Sequence, residues 1–275
     1  MVHKILLKPF VVAIVFIILI AGCGGDSSIQ AVEDFEDLGN GGVRIAIGEP
    51  NSVPAGSYAM RILDNLTDEN ESLKTAIENN IVTEEPNVRA VLDKVTSKEV
   101  DAGFVYLTDA FTVKENVEII EIPENIQVTA IYPIGILNES NDAELAKSFV
   151  DYVMSKDGMA VLEDFWFTPV GNRIDFNPKR FDGKSLVVYA AASMTDAFEE
   201  IAENFKATTG AEVKYKFASS GSLRQLIENG AVGGEAGADV FASASLEHME
   251  ALKENGFIED FITFTHNKMV IVVPK

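Results

Sequence analysis

Cysteine is nearly missing from this chain, and its single example, Cys23, cannot close an intrachain disulfide. Positive charge is scarce as well: 22 lysines and arginines stand against 43 acidic residues, a formal net charge of −21. That balance disfavours a nucleic-acid partner or an anionic lipid surface, and an anionic ligand would need local help from the fold. Histidine occurs only as His3, His248 and His266, without a metal-ligand spacing. There is no phosphate-loop motif, and Ser219-Ser220-Gly221-Ser222 lacks the pattern of a nucleophile elbow. Asp109 and Asp239 follow apolar runs but have no obvious paired carboxylate. With catalytic constellations this weak, an enzyme is not expected, and no repeat of fixed short period points to a solenoid.

Long apolar runs are confined to the N-terminus, where Lys4 and Lys8 precede an uncharged stretch from Phe10 to Ile20. It is short for a membrane span of about 20 residues and has the layout of a secretory signal. Leu19-Ile20-Ala21-Gly22-Cys23 at its end resembles the lipobox of exported lipoproteins, in which the cysteine becomes the lipidated first residue of the mature protein. Cys23 is therefore the expected lipidation site, residues 1–22 the signal peptide, and 23–42, polar and acidic, a tether. Asn-x-Ser/Thr sequons at Asn65, Asn70 and Asn138 permit glycosylation in a suitable exported context.

The whole chain is 47% hydrophobic, as a folded globular protein is, and beyond the N-terminus its patterns alternate. Arg44 to Gly48 reads as a buried strand, followed by a helix that Pro54 can open, since its missing N–H is tolerated in a first turn. The polar stretch from Asp64 to Glu71 follows. Asn87 is a candidate cap for a helix through Val95, and Ala102 to Tyr106 is a strand. Further strands are expected over Val117 to Ile122 and over Ala130 to Leu137, where Pro133 suggests an edge or crossover. Ala143 to Phe165 reads as an amphipathic helix broken near Asp157-Gly158. After a Gly-, Asn- and Pro-containing loop, strand and helix alternate again from Ser185 to Val273. Such alternation predicts an α/β protein, and the length suits two three-layer lobes meeting at a cleft.

Turns of small or hydroxyl residues recur between strand and helix, where free backbone N–H groups and a partial positive charge make natural anion sites. Ser193, with Asp196 three residues on, has the layout of a cap with a reciprocal acidic partner. Ser220 stands in a similar position before Leu223.

Several of these segments, Tyr189-Ala190-Ala191-Ala192-Ser193-Met194-Thr195 and Gly48-Glu49-Pro50-Asn51-Ser52-Val53-Pro54-Ala55-Gly56 foremost, resemble signatures of the periplasmic-type molybdate- and tungstate-binding proteins of ABC transporters. The resemblance implies a type II binding-protein fold whose cleft holds the oxyanion through neutral hydroxyl and backbone N–H donors. It assigns that role to Ser193 and, through Phe217-Ala218-Ser219-Ser220, to Ser220. Through Val53-Pro54-Ala55-Gly56, Pro86-Asn87-Val88-Arg89 and Val105-Tyr106-Leu107-Thr108-Asp109-Ala110 it assigns the same role to Ala55, Val88 and Tyr106. One departure is the loop Val232 to Gly237, longer than the family's usual short turn.

The segment that normally opens such proteins comes second here, so the order looks circularly permuted. The resemblance then places the family's second lobe in 43–130 and its first in 131–275. It also pairs Met269 to Val273 with Ile131 to Leu137 as crossover strands, with only the second of the two usual interlobe connections kept. Thr168 to Gly183 would join the old termini, and Lys275 would lie near Ile29 to Phe35. By the same implication the ligand is molybdate or tungstate and no cofactor or free metal ion is needed. The partners are an ABC permease and its ATPase, the membrane is met through a lipid anchor only, and a monomer is expected.

Overall fold

The computed structural model describes residues 29–275; the expected signal segment and Cys23 lie outside the described residues. In the first lobe the elements run β1 (Ile45–Gly48), α1 (Pro54–Asn65), α2 (Thr67–Asn79), β2 (Ile81–Glu85), α3 (Val88–Thr96), β3 (Ala102–Tyr106), α4 (Leu107–Thr112) and β4 (Val117–Glu121). The second lobe begins with β5 (Thr129–Leu137), α5 (Ala143–Val153), α6 (Lys156–Asp164), β6 (Thr168–Pro169), β7 (Ser185–Ala191) and α7 (Thr195–Thr209). It continues through β8 (Glu212–Ala218), α8 (Ser220–Glu228), β9 (Val240–Ala242) and α9 (Leu246–Glu254) to the long strand β10 (Ile258–Pro274). Helices cover both sides of the sheets, as the alternation predicts.

β10 ties the two lobes together. Ile258 to Lys268 pair antiparallel with β5, whereas Met269 to Val272 pair with β3 and Val270 to Pro274 with β4. The first lobe's sheet therefore has the order β2-β1-β3-β10-β4, and the second lobe's the order β6-β10-β5-β9-β7-β8. Three expectations change as a result. Residues 131–275 do not form one lobe, because Met269–Pro274 belong to the sheet of the first. The partner of Ile131 to Leu137 is the stretch from Ile258 to His266, not Met269 to Val273. Two covalent crossings remain rather than one: between β4 and β5, and within β10 at Lys268/Met269. A strand continuous over 17 residues reaches across both sheets, a length that two separate strand signals in the sequence do not reveal.

The expected tether is also corrected over its described part. Val32, Phe35 and Leu38 are buried, Glu36–Gly39 forms a short 3-10 helix, and the Gln30 N–H donates to the buried Asp101 carboxylate, which also binds Arg44. Apolar residues spaced by three pack as one face despite acidic neighbours. Likewise the polar stretch Asp64 to Glu71 lies in α1 and α2, on a mostly exposed surface. The helix pair α5–α6 breaks at Met154-Ser155 instead of Asp157-Gly158, because Ser155 accepts from the Gly158 N–H and caps α6. β5 is a central strand, not an edge. Pro133, opposite Thr263, sits beside an irregularity in β10 between Thr263 and Thr265, so its missing N–H costs no regular ladder bond. Strand β2 carries no prediction; it pairs only with β1, and its exposed Val82 and Glu84 hide it in a polar context. Lys275 lies against Lys98, Lys114 and Asn116.

Candidate functional site

The strand-to-helix turns of both lobes converge. Val53, Pro54, Ala55, Asn87, Val88 and Tyr106 of the first lobe face Ala191, Ala192, Ser193, Ala218, Ser219, Ser220 and Ala244 of the second around one cavity. All the ligand-binding residues expected from the sequence, Ala55, Val88, Tyr106, Ser193 and Ser220, line it. The space open to the centre of a water-sized sphere is about 10 Å³, room for one small group and too little for a sugar or peptide.

A closed lobe arrangement makes the cavity small. The Gly221 N–H donates across the cleft to Ser52 O at 2.9 Å, and a side chain at Gly221 would meet that oxygen at 2.5 Å, so only glycine permits this approach. Within the first lobe Gly56 does the same for α1, since a Cβ there would lie 1.9 Å from Gly48 O. On another side of the cleft, Phe111 of α4 stacks on Trp166, with ring centroids 3.9 Å apart and planes 6° from parallel. Trp166 adopts φ +66°, uncommon for a bulky residue.

A donor census explains what the cavity offers. The first N–H groups of a helix have no intrahelical acceptor. Gly56 and Ser57 donate to Val53 O, Ala90 to Asn87 Oδ1, Ser222 to Ser219 Oγ and Gly221 to Ser52 O. Left over at these helix starts, among the described residues, are the N–H groups of Ala55, Val88, Arg89 and Ser220. The side chains add hydroxyls. Tyr106 is buried beside Tyr132, and among the described residues its hydroxyl has no partner within hydrogen-bond distance. Burial pushes that hydroxyl well above its ordinary pKa, so it stays a neutral donor. Ser220 Oγ accepts from Ala244 N–H at 2.9 Å, which leaves its own hydrogen to donate. Among the described residues, no acidic or basic side chain lines the cavity.

Two expected caps are reassigned. Ser219, not Ser220, caps α8, by accepting from Ser222 N–H. Ser193 caps nothing: its Oγ meets the Tyr132 hydroxyl at 2.9 Å, and Asp196 turns away to Arg89. Arg89 lies between two carboxylates, Asp109 of its own lobe and Asp196 of the other. Asp109, which looked unpaired in the sequence, is fully buried; burial raises its pKa to about 6 against the pull of Arg89. Sequence reasoning also missed Asn87 as a cavity-lining residue and the buried set Tyr132, Asn267 and Thr108 behind Ser193. No motif signals those contacts, which join residues up to 159 positions apart.

A two-lobed α/β chain whose helix starts close on one small, donor-lined cavity has the architecture of a solute-binding protein. The family model for bacterial extracellular solute-binding proteins matches residues 10–168 and 186–275, and the chain belongs to that family. It is 34% identical over 55% of its length to a putative ABC transporter substrate-binding lipoprotein, YvgL, of Bacillus subtilis, covering 55% of that protein. To the molybdate-binding protein ModA of Mycobacterium bovis it is 33% identical over 54% of its length, covering 52% of ModA. The chain thus spans about half the length of the curated relatives it matches. Its fold resembles that of a phosphate-binding protein of an ABC transporter from Streptococcus pneumoniae, at TM-score 0.52 and 15% identity over 85% of this chain and 89% of that one. Among the described residues no helix is long and apolar enough to cross a membrane.

Proposed function

We propose that this protein is the extracytoplasmic substrate-binding component of an ABC importer and that its cargo is a fully deprotonated tetrahedral oxyanion, molybdate or tungstate. The observation that carries the reading is the convergence of Ala55, Val88, Tyr106, Ser193 and Ser220 on one cavity lined by donors and, among the described residues, by no charged side chain. A tetrahedral dianion needs donors from several directions, and neutral ones avoid an over-tight ion pair. Hydrogen bonds to charged groups contribute about 1.5–3 kcal/mol each, so a handful supports tight binding after dehydration. Phosphate near neutral pH carries a proton that needs an acceptor, and among the described residues no carboxylate lines the cavity to supply one. The likeness to ModA supports the same cargo. Calorimetric titration with molybdate, tungstate, sulfate and phosphate tests the reading. One molybdate or tungstate per chain, bound far more tightly than sulfate or phosphate, is expected, and comparable sulfate or phosphate affinity overturns it.

In this reading the closed form delivers the ion to a permease driven by an ATPase, and the binding protein is a monomer without cofactor, held at the outer face of the cytoplasmic membrane through lipidated Cys23. The lipobox-like segment and the lipoprotein name of the Bacillus subtilis relative support the anchor. Cys23→Ser should release the protein from membranes and leave oxyanion binding intact; a wild type that carries no lipid in a competent host refutes the anchor. The permuted order is part of the same proposal. The family model matches in two stretches that flank 169–185, which overlaps the segment Thr168 to Gly183 expected to join the old termini. Linking Lys275 to Val43 and opening the chain within that segment should give a protein that binds the same ion.

A further inference from the structure

Asn267 sits in β10 immediately before the crossing into the first lobe and is 5% exposed. Its Oδ1 accepts from the Lys268 N–H at 2.9 Å. A backbone N–H can only donate, so this bond fixes which end of the amide is oxygen. The Nδ2 group, which also can only donate, then faces Thr108 Oγ1 at 2.9 Å and the Tyr132 hydroxyl at 3.3 Å. With an N–H directed at its oxygen, Tyr132 turns its own hydrogen to Ser193 Oγ, at 2.9 Å the hydroxyl within hydrogen-bond distance of it among the described residues. Ser193 thereby accepts from Tyr132 on the protein side and keeps its hydrogen free for the cavity that it lines. Burial holds the Tyr132 hydroxyl well above its ordinary pKa, so the relay does not lose its proton near neutrality.

We propose that Asn267 is a positioning residue that sets the direction of the hydrogen-bond chain through Tyr132, so that Ser193 turns its hydrogen to the cavity and the cavity favours anions that carry no proton. The inference rests on the oxyanion reading of the cavity. Asn267 itself does not line it; it acts through Tyr132 and Ser193, and its contact with Thr108 ties the same amide to the first lobe. A carboxylate at this position would accept from Lys268 N–H and from Tyr132 alike. Tyr132 would then accept from Ser193, and Ser193 would present a lone pair to the cavity.

The test measures molybdate and inorganic phosphate affinity for the full chain near neutral pH, together with thermal melting. Asn267→Asp should bind molybdate roughly 10- to 100-fold more weakly, the loss of one hydrogen bond to a charged group. Its selectivity for molybdate over phosphate should fall, because a lone pair now meets the phosphate proton. Adding Tyr132→Phe to Asn267→Asp removes the acceptor that captures Ser193, so most of the molybdate affinity should return. Simple repulsion between the new carboxylate and the dianion would persist in that double variant. Wild-type affinity and selectivity in Asn267→Asp, or a folded double variant no better than the single one, overturns the proposal. If melting shows the Asp variant unfolded, Asn267→Leu carries the same comparison, with a smaller loss and the same restoration by Tyr132→Phe. A wild type that binds no tetrahedral oxyanion refutes the cavity reading itself, a result distinct from a wild type that binds and a variant that does not respond.

Discussion

Val88 and Arg89 are consecutive residues of α3, yet the two regions they serve handle charge in opposite ways. Around Val88 the cavity is lined by neutral groups, and its unpartnered N–H and hydroxyl donors await a partner. Around Arg89 the charges are already paired within the protein: one guanidinium lies between Asp109, buried in the first lobe, and Asp196, on the second. The difference teaches how an acidic chain can keep charged side chains out of a donor-lined cavity. The charged residues nearest the cleft engage one another, so that the cavity is left to dipoles, while the same contact joins the lobes. The Phe111–Trp166 stack joins them as well.

Removing the cation should break this comparison most severely. Arg89→Met leaves Asp109 buried without its partner and should cost about 3–5 kcal/mol of stability above neutral pH, read by chemical denaturation. The loss should shrink in acid, where Asp109 takes up a proton; a loss independent of pH would show that the pair does not carry the effect.

The next effect is the pH dependence of the wild type. Because the folded pKa of Asp109, about 6, lies above the ordinary 3.8, the folded chain holds this proton more tightly than the unfolded one. Asp109 therefore favours the fold below pH 3.8, and that contribution is lost as pH rises to about 6, a change of roughly 3 kcal/mol at about 1.4 kcal/mol per unit. Asp109→Asn should flatten the wild type's decline across that window in a stability–pH profile.

On the cavity side, Ser220→Ala or Tyr106→Phe should weaken oxyanion binding by roughly 1–3 kcal/mol each while the melting temperature stays near that of the wild type. Calorimetry reads this directly, and unchanged affinity in both would remove these hydroxyls from the ligand. Asp196→Asn should have the smallest effect, up to about 1 kcal/mol, since Asp196 is 40% exposed and its attraction to Arg89 is screened. The single tryptophan, Trp166, lies beside this contact and gives a fluorescence signal for lobe closure. A variant that closes on ligand like the wild type would show that the interlobe ion pair does not bias closure.

Local signals carried much of the fold. The all-buried run Ile45–Gly48, the Asn87 cap with its bond to Ala90 N–H, and left-handed Gly230 after α8 are each decided within a few residues of chain, by apolar continuity or by an available acceptor. Where local and distant demands compete, the sequence misleads. Asp196 has the spacing of a capping partner for Ser193, but an arginine from the other lobe is the stronger attraction. Pro133 suggests an edge or crossover; β5 does follow the crossing from β4, but it is central in its sheet, where an irregularity in β10 accommodates the proline.

By itself the sequence determined the α/β alternation, the helix starts rich in small and hydroxyl residues, and five of the residues that line the cavity, Ala55, Val88, Tyr106, Ser193 and Ser220, because each depends on periodicity or on a motif of neighbouring residues. Only the tertiary structure decided that β10 enters both sheets, so that the lobes keep two crossings, and that Arg89 bridges Asp109 and Asp196. It alone brought Asn267 behind Tyr132 and Ser193. Those outcomes depend on strand pairing and on side-chain contacts between residues far apart in the chain, and no local pattern encodes which distant acceptor or cation will arrive.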